Sequence, residues 1–123
     1  VPVRIREKQR IKGTVTPSAL NTETDVINLA DQSDDYIIEG YIDLANMASD
    51  DVVELKAYIA VDGANQRLMD KITFSGTQEI PVVRIVAHTV PYDGKFRITI
   101  TQKAGSALKS FPYAFTVQVM ETI

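Results

Sequence analysis

The chain has 123 residues, 45% hydrophobic and 24% charged, with 16 acids against 13 Lys and Arg for a net charge of −3. That length suits one domain that buries about two thirds of the surface its unfolded chain exposes, so no metal or disulfide staple is required. With no cysteine, disulfide frameworks, thiolate metal sites and cysteine nucleophiles are excluded, and no apolar run reaches the ~18–20 residues that span a bilayer.

Residues 1–12 carry five basic groups and one acid. Every cation falls on an even position, at Arg4, Arg6, Lys8, Arg10 and Lys12, while Val1, Val3, Ile5 and Ile11 are odd. Extended, such a segment has one cationic and one partly apolar face. Cations ~7 Å apart along a strand repel one another unless something acidic lies opposite. Three placements answer this. The segment is an edge strand of its own sheet, its cations discouraging aggregation. Or it is an arm of up to ~40 Å that crosses to another copy and pairs by strand addition. Or it touches nucleic acid, which a pI near 5.1 and the lack of interleaved aromatics disfavour. The chain therefore divides into a basic strand or arm, 1–12, and a single domain, 13–123.

Residues 13–55 hold ten acids and no Lys or Arg, and residues 56–123 hold eight basic groups and five acids. Glu23, Asp25, Glu39 and Asp43 in the acidic stretch are the candidate partners for the arm cations of a neighbouring copy. Alternating apolar and polar residues predict strands near 25–30, 35–44, 52–61, 67–74, 80–89, 95–102 and 113–119. Asp62-Gly63, Ser75-Gly76, Asp93-Gly94 and Ala104-Gly105-Ser106 supply the turns between them. Ser49 with Asp50 and Asp51 offers a helix start as the alternative for 52–59, but the alternation of Val53, Leu55, Ala57 and Ile59 favours a strand. Val82-Val83 breaks alternation and marks either a bulge or a strand buried on both faces. With the N-terminal strand, these segments predict an all-β fold: about eight strands in an antiparallel, jelly-roll-like β-sandwich.

Catalytic signals are sparse. The one histidine, His88, rules out multi-histidine metal centres, and no Gly-x-Ser-x-Gly elbow accompanies it. Asp34, Asp35, Glu39, Asp43, Asp50 and Asp51 read as solvated loop charge, because glycosidase chemistry needs two opposed carboxylates with one pKa raised. Asp31, Asp34 and Asp35 lack the spacing of a calcium loop. No enzyme activity, cofactor or metal is expected. Among the tyrosines, Tyr36 and Tyr113 fall on core faces and Tyr92 in a turn. Tyr41 and Tyr58 point outward as a possible sugar-stacking pair, so the alternative function is a carbohydrate-binding or adhesin-like module.

The phrases Asp35-Tyr36-Ile37-Ile38-Glu39-Gly40-Tyr41-Ile42-Asp43-Leu44-Ala45-Asn46-Met47, Thr73-Phe74-Ser75-Gly76, Ile98-Thr99-Ile100-Thr101-Gln102-Lys103-Ala104-Gly105 and Lys109-Ser110-Phe111-Pro112-Tyr113 resemble small β-sandwich proteins found among the structural genes of tailed viruses. The likeness spans roughly residues 22–120 and brings no catalytic residues with it. It implies a virion-associated capsid, decoration or fibre subunit. The expected function is thus a structural subunit that self-associates through its N-terminal strand, with other copies and other virion proteins as partners, no membrane partner, and a place in a virion or extracellular assembly. The start Val1-Pro2-Val3-Arg4 shows no signal-peptide core.

Overall fold

The computed structural model describes residues 2–123, so Val1 lies outside the described residues. The chain forms β1 (Val3–Val15), β2 (Thr24–Asn28), β3 (Tyr36–Asp43), β4 (Val52–Ile59), β5 (Arg67–Ser75), β6 (Val82–Val90), β7 (Arg97–Ala104) and β8 (Phe111–Thr122), with no helix among the described residues. Two four-stranded antiparallel sheets result, ordered β1-β8-β3-β6 and β2-β7-β4-β5. Only the β4–β5 connection stays within a sheet; every other connection crosses the sandwich. The predicted segments are found within a few residues of their expected ends, and 52–59 is the strand that alternation favoured over a helix starting at Ser49.

The core follows from period-two alternation on the central strands. β3 contributes Tyr36, Ile38 and Ile42, β8 contributes Phe111, Phe115, Val117 and Val119, and the facing sheet contributes Val53, Leu55, Ile98 and Ile100, all buried. Burying each such side chain contributes roughly 1.5–3 kcal/mol before conformational entropy is charged against it. Tyr36 has no exposed surface, yet its hydroxyl accepts a hydrogen bond from the Phe96 amide at 3.2 Å, tying one sheet to the other. Burial raises its pKa above the ordinary 10.0. At Gly40 an added Cβ would sit 2.4 Å from the Phe115 ring and 2.5 Å from the Ala114 carbonyl, so the residue must be bare for β3 and β8 to pack.

Two details differ from the sequence reading. Val82 and Val83 alternate normally, outward and inward; the bulge of β6 lies further on, where the register with β3 slips between Ile38 and Gly40. Of the three placements of the first dozen residues, the edge strand of the chain's own sheet is found; the larger difference is the face on which its cations lie. β1 pairs with β8 of its own chain from Val3 opposite Thr122 to Val15 opposite Phe111, so position 12 falls inside a strand and the segment is an edge strand at home. The cations also do not share one face. A register slip between Ile5 and Glu7 inserts one residue, and such a slip exchanges the two faces of a strand. Lys8, Arg10 and Lys12 point outward beside Gln118, Thr116 and Ala114, whereas Arg4 lies opposite Glu121 on the other face and pairs with it at 2.6 Å. Arg6, at the slip, reaches the same carboxylate at 3.9 Å.

Candidate interaction face

The outer surface of β1-β8-β3 forms a trough. On β8 the outward residues Ala114 and Thr116 are short, while their neighbours on both sides are long. One cross-strand row reads Lys12, Ala114, Tyr41 and Arg84, and the next reads Arg10, Thr116 and Glu39. The depression so formed is about 320 Å³, walled by Arg10 and Lys12 on one flank and Glu39 and Tyr41 on the other. A second depression of about 240 Å³ continues past Tyr41 between Lys12, Asp43 and Pro112. Tyr41 stands between the two with 53% of its surface exposed.

The charges of this trough are unmatched. Among the described residues, no ion pair involves Lys8, Arg10, Lys12, Arg84, Glu39 or Asp43. β1 and β3 lie two strand spacings apart, about 10 Å, and no ion pair bridges the cationic and acidic walls across that gap among the described residues. One oxygen of Asp43 accepts the Ala45 amide at 2.9 Å and the other is free of protein partners.

Glu23 and Asp25 sit elsewhere, on the opposite outer face, so the four candidate acids do not form one surface. Asp25 pairs with Arg97 at 2.6 Å. Glu23 accepts hydrogen bonds from the Thr99 hydroxyl at 2.6 Å and from the Tyr58 hydroxyl. Burial acts to raise its pKa, but these hydroxyls with Lys56 and Arg97 hold it below the ordinary 4.5. Partial burial and the Glu23 carboxylate raise the Tyr58 pKa. The Arg97 guanidinium covers the Tyr58 ring at 5.0 Å. Tyr58 is therefore occupied on both its hydroxyl and its ring, and it lies on the far side of the sandwich from Tyr41. The two tyrosines do not form a common platform.

Sequence reasoning missed a buried polar cluster at the end of the sandwich. Asp51, read as loop charge, has no exposed surface; it accepts the Ala48 amide at 2.7 Å and pairs with Lys109 at 3.2 Å. Gln102, also buried, donates to Asp51 and to the carbonyls of Ala104 and Ala107, and accepts the Lys109 amide. Together they fasten the β7–β8 connection to the start of β4. The remaining loop acids act singly: Asp31 pairs with Lys95, Asp34 accepts the Asp35 amide, and Asp35 accepts the Tyr92 amide. Among the described residues no three His, Asp or Glu converge in a metal-binding arrangement. His88 is half-buried, its ring 5.8 Å from that of Phe96.

The lateral side between β5 and β6 is open. Ile72 faces the interior opposite Leu55 yet is 50% exposed, and Met69 and Val86 are exposed on the same side. The opening, about 250 Å³, reaches Ala57, Ile85 and Phe96.

No family model matches the chain, and none of the curated proteins compared with it matches. Among solved structures, the fold is similar to a protein of Bacillus endospore appendages, described as a novel family of disulfide-linked pili. That match has 13% identity and a TM-score of 0.57, covering 94% of this chain and 88% of the other. Two structures of infectious bursal disease virus, the Gx strain and the VP2 subviral particle, are similar at 12% and 11% identity with TM-scores of 0.46. This chain spans about a third of each viral chain, 32% and 33%. At 13% identity the likeness to the appendage protein is one of fold alone.

Proposed function

We infer that the protein is a non-enzymatic structural subunit of a multi-copy assembly, a virion (capsid, decoration or fibre subunit) or a comparable extracellular structure, and that its copies associate through β1. The observation that carries this reading is the state of that strand. It ends a sheet with one backbone edge unpaired over 13 residues, and three of its cations lack an acidic partner among the described residues. An unpaired backbone edge can template strand addition from another chain, and cations without an acidic partner of their own favour a neighbour that supplies one. The pilus protein with this fold is disulfide-linked, whereas this chain has no cysteine, so any association of its copies is held by other contacts.

The test is the native mass. Light scattering and electron microscopy of the whole chain should show a multi-copy species, and a chain lacking residues 1–12 should lose it. Among the described residues of that segment only Gln9 and Ile11 are partly buried, so the β-type circular dichroism spectrum should persist after the deletion. A whole chain that stays monomeric at high concentration would overturn the reading. A second reading, a carbohydrate-binding module, is favoured by the exposed Tyr41 between two depressions. A glycan array that gives signal with the natural chain and none with Tyr41→Ala would establish it.

A further inference from the structure

We propose that the outer face of β1-β8-β3 is a two-fold interface with a second copy of this chain, in which the β1 cations of each copy rest on the β3 carboxylates of the other. This rests on the assembly reading above and names the surface and the partner.

The argument is one of symmetry and charge. Across β8 the trough is polar from side to side, with Lys8, Arg10 and Lys12 along one flank and Glu39, Tyr41 and Asp43 along the other. Within one copy no ion pair links the two flanks among the described residues, so both signs remain available to a partner. Now place two such faces against each other. A two-fold axis running along β8 lays the β1 flank of each copy over the β3 flank of its mate, whereas an axis across the strands lays β1 on β1. The first arrangement matches charges twice by symmetry, and the second sets cation on cation, which is unfavourable in a contact that excludes water.

The rows agree with the first arrangement. An axis along the strands keeps each row opposite itself, so Arg10 meets Glu39 of the second copy and Lys12 meets the exposed ring of Tyr41, a cation over an aromatic face. Asp43 lies one outward position further along β3, within reach of the same flexible lysine. The short side chains Ala114 and Thr116 at the centre let the two faces approach and leave room for the long side chains of the flanks. A nucleic acid or an acidic polysaccharide would answer the cations but would set its own charge against Glu39 and Asp43. A second copy answers both signs.

The experiment is a charge-reversal pair measured by sedimentation at low and at physiological salt. Arg10→Glu with Lys12→Glu makes both flanks acidic, and Glu39→Lys with Asp43→Lys makes both basic. Each variant alone should lose the two-fold contact, with association weakened at least tenfold. An equimolar mixture of the two should restore it as a heterodimer, and added salt should weaken the natural dimer. All four positions are outward-facing, and circular dichroism confirms folding of each variant before mixing. A variant carrying all four changes, with its flanks exchanged, should dimerise on its own. Folded variants that associate like the natural chain, or a mixture that stays monomeric, would overturn the proposal. If those variants still build particles or filaments of natural size, this contact falls while the structural-subunit reading stands; a natural chain monomeric at every concentration removes both.

Discussion

The two outer faces of the sandwich carry similar residues and use them differently. On the β2-β7-β4-β5 face, Asp25 meets Arg97, Glu54 meets Lys56, and Glu23 is held by Tyr58 and Thr99. Around β7 these charges have partners within their own sheet, and Thr99 and Thr101 are buried there even though they point away from the core, while Lys71, opposite Lys56, makes no ion pair among the described residues. On the β1-β8-β3-β6 face, Lys8, Arg10, Lys12, Arg84 and Glu39 make no such pair among the described residues. Counting charges along a chain thus says little about which of them are free. Availability is decided by what each strand neighbours, and a face whose charges are left unmatched is where a partner gains most by binding.

Substitutions that separate internal from external roles sharpen this contrast. The largest effect is expected at Asp51, whose buried carboxylate anchors Lys109 and Gln102. Asp51→Ala should cost about 3 kcal/mol in chemical denaturation, because a broken buried pair leaves its partners unsatisfied. A loss within experimental error would mean that water replaces the carboxylate without cost. Beneath the trough, Gly40→Ala should cost about 2 kcal/mol by forcing the Phe115 ring away from β3; an unchanged midpoint would show that the two strands separate freely.

On the satisfied face, Glu23→Gln should cost about 1 kcal/mol or less, discounted because the carboxylate is exposed. Its pKa is lowered in the folded chain, so its contribution is present above the ordinary 4.5 and is lost as pH falls through the folded value. The gap in stability between natural chain and variant should therefore narrow as the medium is acidified below pH 4.5, and a gap that widens would contradict the assigned hydrogen bonds. The smallest effect belongs to the unmatched face. Arg10→Ala with Lys12→Ala should change the stability of the isolated chain by less than about 0.5 kcal/mol, since neither side chain is paired within it. A larger loss would place these cations in the service of the fold itself.

Sequence alone determined the elements and the absence of a cysteine staple. Alternation is a local property, so Lys95–Gln102 and Tyr113–Val119 announce their buried faces before any partner strand is known, and Asp62-Gly63 and Ser75-Gly76 announce turns through glycines that the structure places at positive φ, 77° and 76°. What depends on two strands at once was illegible. A register slip is a property of a pair, so the period-two row from Arg4 to Lys12 reads as one cationic face until β8 imposes the bulge that turns Arg4 aside. Strand order likewise decides which acids share a face: Glu23 and Asp25 join β7, Glu39 and Asp43 flank β8, and nothing in their spacing separates them. Asp51 resembles any loop acid until the β7–β8 connection folds over it and removes its water. Local periodicity writes the strands; only the pairing of distant strands decides which charges meet, because Coulombic and hydrogen-bond partners are chosen by proximity in space.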